Sequence, residues 1–298
     1  MPLPDLYLAS PQSPTLEAAL AERFTLHRDV APPTTRAVVG GGSLRWGAAE
    51  SESLPELGIV AIHGVGHDGV DLAAARARGV RVTITPDVLT ADVADLAIAL
   101  WLAVERGIVA NDRAVRDGGW SVPLARRASG RAVGVFGLGQ IGQAIAARAA
   151  PFARSIAYCA RSAKDVPYRR CDDIRALAAA SDVLFLAAPG GGATERLVDR
   201  AVLEALGAAG VLVNVARGSL VDEPALIAAL DAGVIAGAGL DVFADEPRVP
   251  AALRVSPRVV LAPHQGSATR EARGAMEALV LANLDAFLAG TPLPSAIA

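Results

Sequence analysis

A glycine-rich hexapeptide, GLGQIG at positions 137–142, separates two segments of different character. The run before it, residues 132–136, is apolar and strand-like, and residues 140–150 have helical spacing. In such a unit the first glycine permits the tight turn, the second lets the backbone approach a pyrophosphate, and the third lets helix and strand pack closely. The pattern predicts a dinucleotide-binding turn, with an ordinary glycine turn as the alternative, formed by Gly137, Leu138, Gly139, Gln140, Ile141 and Gly142.

Strand-like and helical segments alternate on both sides of this turn. The alternation predicts an α/β fold, because parallel strands are joined by crossover helices. Four strands are expected in the first part of the chain, at residues 5–9, 36–40, 58–62 and 80–84. Six later strands suit a doubly wound Rossmann sheet, and they are expected at residues 131–136, 155–159, 182–187, 210–214, 235–239 and 258–261.

Two helical segments decide how the domains are divided. Residues 92–117 read as one long helix that connects the two sets of strands, and residues 268–288 read as an amphipathic helix that returns to the first domain. We therefore predict a discontinuous, flavodoxin-like substrate (lid) domain at residues 1–95 and 266–298. The dinucleotide-binding domain, with its Rossmann doubly wound parallel sheet, is predicted at residues 96–265.

Composition limits the partners and the compartment. The net charge of −3 gives no electrostatic reason to expect nucleic acid or an anionic membrane as a partner. The most apolar stretch, residues 93–104, is too short for a bilayer span, which takes about 20 apolar residues. The two cysteines form no CxxC pattern and the N-terminus resembles no signal peptide, so we expect a cytoplasmic protein.

The end of the second Rossmann strand indicates which cofactor is preferred. An NAD site places an acid there to bind the ribose 2′-OH, whereas this chain has Arg161 and Ser162 and no acid before Asp165. An arginine can hold a phosphate with two hydrogen bonds, and the serine can add another donor. We expect NADP(H) to be preferred, with NAD(H) possible; a solvated arginine at a strand end is the alternative.

Three polar residues follow predicted strands, at the edge where open α/β sheets bind ligands. Arg217 follows VLVN, Glu246 follows LDVFAD and His264 follows VVLAP. Reduction of a 2-keto acid needs a proton donor, for which imidazole is suited, and a counter-charge for the carboxylate, for which guanidinium is suited. Taken singly, they could be a loop histidine, a surface acid, and an arginine paired with Asp222 or Glu223.

The chain resembles the D-isomer-specific 2-hydroxyacid dehydrogenases, most closely their glyoxylate/hydroxypyruvate reductase branch. The resemblance rests on VFGLGQIGQAIAARA, VNVARGSLVDEPAL, LDVFADEP and APHQGSAT, and on the connecting segment VLTADVADLAIALWLAVERGI. It implies that Arg217, Glu246 and His264 are catalytic, with His264 as the proton donor, Glu246 paired with it to orient the ring, and Arg217 as the clamp for the substrate carboxylate. It also implies that Asp241 contacts the nicotinamide carboxamide. The implied cofactor site comprises Gly137, Leu138, Gly139, Gln140, Ile141, Gly142, Arg161, Ser162, Ala188, Val215, Ala216, Arg217, Asp241, His264 and Gly266.

The segment HGVGHD at positions 63–68 resembles the substrate loop of the same family. The resemblance implies that the backbone amides of Val65 and Gly66 bind the substrate carboxylate, together with Arg217 and His264. A metal held by the two histidines is the alternative. The two glycines between them argue against a helical pair, no third ligand suggests itself, and we expect no metal.

The side chain of the preferred 2-keto acid is left open by the sequence. A wall formed by Gly41, Gly42, Leu44 and Trp46 is expected to select it. Small acids such as glyoxylate and hydroxypyruvate follow from the resemblance alone, and larger phenylpyruvates remain an alternative. The alternative function is a nicotinamide-cofactor-binding sensor or corepressor without turnover, although the Arg–Glu–His set argues against it.

A homodimer is expected from the segment at residues 111–120. The resemblance implies that this arm packs on a second subunit and that Trp120, at its end, can reach the substrate pocket of the partner. Burial of Trp120 within its own chain is the alternative.

Overall fold

Two parallel sheets form the frame of the protein in a computed structural model that describes residues 2–121 and 123–298. The contacts divide the chain into one unit of Met1–Leu89 with Ala268–Ala298 and a second unit of Thr90–Ser267. The predicted boundary between residues 95 and 96 falls inside a helix that belongs wholly to the second unit. Met1 and Val122, which fall within the two predicted domain ranges, lie outside the described residues.

The first unit contains a five-stranded sheet with the order β2-β1-β3-β4-β5, all of whose pairs are parallel. This is the flavodoxin-like order, as the sequence predicted. Its strands are β1 (Asp5–Leu8), β2 (Thr25–His27), β3 (Thr35–Gly41), β4 (Ile59–His63) and β5 (Arg81–Thr83). The helices between them are α1 (Pro14–Ala21), α2 (Ala48–Glu52) and α3 (Leu72–Ala77).

The second unit contains a seven-stranded parallel sheet with the order β12-β11-β10-β9-β6-β7-β8. The strand order reverses beside β6, so the predicted doubly wound Rossmann sheet is confirmed. Its helices are α4 (Thr90–Arg106), α5 (Ile108–Arg116), α6 (Gln140–Ala149), α7 (Ile174–Ala179), α8 (Arg200–Leu206), α9 (Glu223–Asp231) and α10 (Ala251–Val255). Its strands are β6 (Arg131–Phe136), β7 (Ala153–Cys159), β8 (Arg169–Arg170), β9 (Val183–Leu186), β10 (Val211–Asn214), β11 (Gly237–Leu240) and β12 (Val259–Leu261).

The C-terminal helix α11 (Arg270–Ala289) packs on the sheet of the first unit. Its Val280 and Leu284 are buried in one cluster with Leu6 of β1, Val39 of β3 and Ile59 of β4. Thr269 caps the helix by accepting a hydrogen bond from the backbone amide of Ala272 at 3.0 Å, and Gly290 ends it in the left-handed region. The helix therefore covers apolar strand residues that lie far away in sequence.

The predicted single helix at residues 92–117 is wrong, because the structure has two helices there. Gly107 adopts a left-handed conformation with φ of 59° and separates α4 from α5. Residues of α4 are buried, including Trp101 at 0% exposure, whereas α5 has no buried residue. Hydrophobic periodicity did not reveal β2 and β8, which are only 3 and 2 residues long and have no buried residue.

Candidate active site

The glycine turn between β6 and α6 has the steric features that the sequence predicted. Gly137 has φ of 90°, and a Cβ there would lie 2.5 Å from the backbone nitrogen of Ala188. A Cβ at Gly142 would collide with the carbonyl oxygen of Gly137, so helix and strand are in close contact. A Cβ at Gly139 would meet nothing within 4 Å, which leaves open space in front of the amino end of α6. Such a turn fits a pyrophosphate, since the helix terminus offers free N–H groups and a partial positive charge.

The other expected cofactor residues lie at the same edge of the sheet. Ala188 follows β9, and Val215 and Ala216 follow β10, all with at most 9% of their surface exposed. Arg161 and Ser162 follow β7 and are exposed. Parallel strands present their carboxyl ends at one edge, so these positions share the edge that carries the glycine turn.

Arg217 lies in a loop that Asn214 holds from the end of β10. The amide nitrogen of the Asn214 side chain donates to the carbonyl oxygen of Arg217 at 2.8 Å, and its amide oxygen accepts from the backbone amide of Ala216 at 3.0 Å. Asn214 is buried, and Arg217 is half-buried. Of the two acids considered as ordinary partners, Asp222 caps α9 and Glu223 accepts a hydrogen bond from the amide of Ala244.

His264 and Glu246 form a hydrogen-bonded pair. The Nδ1 atom of His264 lies 2.7 Å from Oε2 of Glu246, and the Oε1 atom of Glu246 accepts from the backbone amide of Phe243 at 3.0 Å. An ionised carboxylate can only accept, so Nδ1 of His264 carries the hydrogen and Nε2 is left to exchange a proton with a ligand. With 42% of the His264 side chain exposed, the ring is accessible to a small molecule.

The carboxyl group of Glu246 is held in its ionised form. Burial alone would raise its pKa, but the hydrogen bond from His264, the Phe243 amide and the positive charges of His264 and Arg217 together lower that pKa below its ordinary value. The charge of Arg217 therefore acts on the same carboxylate that binds His264. The second unit thus brings together the three residues that the sequence singled out for catalysis.

Asp241 holds the segment that carries His264, a role that sequence reasoning missed. Its backbone oxygen accepts from the amide of His264 at 2.8 Å, and its carboxylate oxygens accept from the amides of Gln265 at 2.7 Å and Gly266 at 2.9 Å. Burial is the largest influence on this carboxyl and raises its pKa, although the two amides act in the opposite direction. Its expected contact with the nicotinamide carboxamide stays a prediction.

Neither Asn214 nor Asp241 was assigned this positioning role from the sequence. Each is a buried polar residue at or directly after the end of a strand, which is the signal that could have identified them. A buried polar side chain at such a position needs hydrogen-bond partners, and the neighbouring loops supply them. His264 itself has φ of 51°, a left-handed conformation that the hydrogen bonds to Asp241 hold in place.

The predicted substrate loop begins at the carboxyl end of β4 in the first unit. Val65 and Gly66 are partly exposed, and the ring of His67 turns back to the carbonyl oxygen of Val65 at 3.1 Å. The Nδ1 atom of His63 lies 3.0 Å from Oε1 of Gln12, while its buried Nε2 atom has no hydrogen-bond partner among the described residues. Burial lowers the pKa of His63, so the neutral ring is favoured.

Three of the four residues expected to select the substrate side chain line one cavity in the first unit. Gly41, Leu44 and Trp46 line a cavity of about 660 Å³, while Gly42 is not among its lining residues. Trp46 is 7% exposed and its indole nitrogen donates to the hydroxyl of Ser51 at 3.0 Å, so the ring belongs to the core beneath α2.

Among residues 2–121 and 123–298, no group of three His, Cys, Asp or Glu residues could hold a metal ion. None of the described helices is long and apolar enough for a bilayer span.

Comparison with known proteins identifies chains that are similar along nearly the whole length. Residues 98–266 match the NAD binding domain of the D-isomer specific 2-hydroxyacid dehydrogenases. The chain is 46% identical over 298 residues to glyoxylate/hydroxypyruvate reductase A of Arabidopsis thaliana, with 95% of both chains covered. It is 45% identical over 298 residues to the hydroxyphenylpyruvate reductase of Plectranthus scutellarioides, again with 95% of both covered.

A solved structure is similar over nearly the same extent. It is the NADPH-dependent glyoxylate/hydroxypyruvate reductase of Sinorhizobium meliloti in complex with NADP and malonate. The two chains superpose with a TM-score of 0.94 and are 41% identical, and the match covers 99% of this chain and 97% of the other.

Proposed function

Since the chain belongs to the D-isomer specific 2-hydroxyacid dehydrogenase family, we propose that it reduces a small 2-keto acid to the D-2-hydroxy acid. The proposed substrates are of the glyoxylate and hydroxypyruvate class, and NADPH is the proposed hydride donor. The chain has the NAD(P)-binding Rossmann domain of an oxidoreductase, and its relatives reduce keto acids. We place the protein in the cytoplasm.

The hydrogen bond of 2.7 Å between His264 and Glu246 is the observation that carries this proposal. A nicotinamide cofactor held at the glycine turn would supply the hydride for reduction of the keto carbon. His264 gives a proton from Nε2 to the developing alkoxide, because Nδ1 is held by Glu246. The ionised Glu246 orients the ring and stabilises its protonated form.

Arg217 binds the substrate carboxylate and polarises the keto group in this scheme. A guanidinium matches a planar carboxylate with two hydrogen bonds, and the Asn214 side chain holds the backbone of the arginine loop. We propose that the backbone amides of Val65 and Gly66 also bind the carboxylate. Gly66 has no side chain, so the backbone of this loop can approach an anion closely.

NADPH is preferred over NADH because no acid stands where the ribose 2′-OH of NADH would be bound. Arg161 and Ser162 are exposed after β7 and can donate to a 2′-phosphate, and the similar Sinorhizobium enzyme is described as NADPH-dependent. Equal or better use of NADH in steady-state kinetics would contradict this preference.

The proposed homodimer uses the arm that includes α5. This helix has no buried residue, and large apolar side chains are exposed at Ile108, Val115, Trp120 and Leu124, the last two at 88% and 101%. The alternative that Trp120 is buried within its own chain is therefore wrong. A second copy would cover these side chains, and sedimentation as a monomer at micromolar concentration would contradict the dimer.

Consumption of NADPH, followed by its absorbance, tests the activity with a panel of glyoxylate, hydroxypyruvate, pyruvate and hydroxyphenylpyruvate. We expect turnover of the small acids, and His264→Gln should abolish it while NADPH still binds. Binding of NADPH without turnover of any acid in the panel would favour the sensor alternative. Preference for hydroxyphenylpyruvate would retain the reaction and correct the substrate class.

A further inference from the structure

The loop at residues 160–164, which we call the phosphate loop, is closed by two side chains at the neighbouring ends of β7 and β8. Tyr158 of β7 and Arg170 of β8 are direct partners in the parallel pairing of these strands. Tyr158 is 2% exposed and Arg170 is exposed, so the first reaches the loop from the core and the second from the surface.

Tyr158 joins the far end of the phosphate loop to the strand from which it departs. Its phenolic oxygen accepts from the backbone amide of Lys164 at 2.9 Å and donates to the carbonyl oxygen of the same residue at 3.5 Å. Because Tyr158 is buried, its hydroxyl depends on these bonds for its hydrogen-bond partners. The contact therefore restricts the conformations open to the residues between Tyr158 and Lys164.

Arg170 binds the near end of the same loop. Its Nη2 atom donates to the carbonyl oxygens of Ala160 at 3.1 Å and Arg161 at 3.5 Å. In a trans peptide the C=O and N–H groups point in opposite directions. With both carbonyls turned toward Arg170, the amides of Arg161 and Ser162 point away from it, where they can donate to an anion.

We propose that Arg170 and Tyr158 are positioning residues that hold the phosphate loop in the form that accepts the 2′-phosphate of NADPH. The inference rests on the proposed NADPH preference. A loop held before binding loses less conformational entropy when the phosphate binds. NADH lacks the 2′-phosphate, so the benefit of this arrangement is confined to NADPH.

The experiment measures the dissociation constants of NADPH and NADH by nicotinamide fluorescence, at one ionic strength, for the wild type and three variants. Arg170→Ala and Tyr158→Phe each remove the hydrogen bonds of one of the two positioning residues. Arg169→Ala is the matched control, because it removes the same charge from the neighbouring exposed position of the two-residue strand β8. Adenosine 2′,5′-bisphosphate and 5′-AMP repeat the comparison without the nicotinamide.

We expect Arg170→Ala and Tyr158→Phe each to weaken NADPH binding about fivefold to tenfold, the size of one or two lost hydrogen bonds. NADH binding should change by less than about twofold, and Arg169→Ala should leave the ratio of the two constants unchanged. The dissociation constant of the bisphosphate should change as that of NADPH does, and the dissociation constant of 5′-AMP should change as that of NADH does.

Two results would overturn the positioning role while leaving the reductase activity intact. One is that the dissociation constants of both cofactors are unchanged in Arg170→Ala and in Tyr158→Phe. The other is an equal loss of NADPH and NADH binding, which leaves their ratio unchanged and marks a general structural contact. A larger effect of Arg169→Ala than of Arg170→Ala would assign the preference to net charge instead. A wild type that binds NADH as tightly as NADPH would remove the premise, and with it this proposal.

Discussion

The carbonyl oxygen of Asp241 accepts a hydrogen bond from the backbone amide of His264 at 2.8 Å. The carboxylate of the same residue accepts from the next two amides, so three consecutive residues of the His264 segment are bound to one aspartate. The position of the imidazole thus depends on a residue that lies at the end of β11, and Glu246 then orients the ring itself.

Replacement of Asp241 by asparagine tests this positioning. The amide group offers one acceptor oxygen instead of two, so one backbone N–H loses its partner and the segment shifts. We expect kcat to fall about tenfold to a hundredfold, as small misplacements of reacting groups do. Asp231→Asn, at the exposed end of α9, is the control and should leave kcat unchanged. Loss of NADPH affinity alone, with kcat retained, would support the carboxamide contact instead.

Glu246→Gln should reveal a stability contribution that depends on pH. The pKa of the Glu246 carboxyl is lower in the folded protein than its ordinary value, despite burial that acts to raise it. Its ionised form therefore stabilises the fold above the unfolded pKa, and this contribution is lost as the pH falls through the folded pKa. We expect the variant to be less stable by about 1–2 kcal/mol at neutral pH and nearly equal to the wild type in acid.

Urea denaturation at neutral and acidic pH measures this difference, and Glu56→Gln, at an exposed carboxyl, is the control. A Glu246→Gln effect of the same size at both pH values would contradict the assignment, because a pH-independent loss reports packing rather than ionisation.

Arg217→Lys should separate charge from geometry in substrate binding. The lysine keeps the positive charge but offers no planar fork for a carboxylate. We expect kcat/KM for the keto acid to fall about a hundredfold, corresponding to about 2.7 kcal/mol, and this loss should exceed any change in NADPH affinity. Arg254→Lys in α10 is the control. An unaffected kcat/KM would remove Arg217 from the proposed chemistry.

Gly218→Ala should disturb the same loop by steric pressure alone. A Cβ at Gly218 would collide with the backbone of Phe243, the residue whose amide binds Glu246. We expect a loss of about 1–3 kcal/mol of stability, as in other overpacked sites, together with reduced kcat. Gly274→Ala is the matched control, because its Cβ would meet nothing within 4 Å and alanine favours the helix α11. A melting temperature that rises in both variants would contradict the steric argument.

Removal of the charge of Glu105 is expected to destabilise the second unit strongly. Its side chain is 0% exposed and is paired with Arg126 at 2.8 Å and Arg131 at 3.4 Å. Glu105→Gln leaves two partly buried guanidinium groups without a counter-charge, which should cost about 3–5 kcal/mol of unfolding free energy. Glu204→Gln breaks the exposed pair with Arg200 and should cost less than about 1 kcal/mol. Similar midpoints of urea unfolding in the two variants would contradict the prediction.

Features that depend on near neighbours were predictable from the sequence. The glycine turn could be recognised because Gly142 packs against the carbonyl group of Gly137 within one strand–turn–helix unit, and because Gly137 itself has a positive φ of 90°. The alternation of strands and helices predicted both sheets, because the helices that join parallel strands cover the apolar faces of the sheet. The same local reasoning failed at Gly107, where a single left-handed residue ends α4 without interrupting the apolar pattern.

The sequence determined the kind of fold and the residue types of the candidate site, because periodicity, turn geometry and the chemistry of side chains are properties of short segments. The resemblance implied the pairing of His264 with Glu246. Only the tertiary structure decided that Asp241 meets the amides of Gln265 and Gly266, and that Arg170 meets the carbonyls of the phosphate loop. The order of strands in a sheet governs these contacts. That order is fixed by the joint burial of distant segments, which no single stretch of sequence contains.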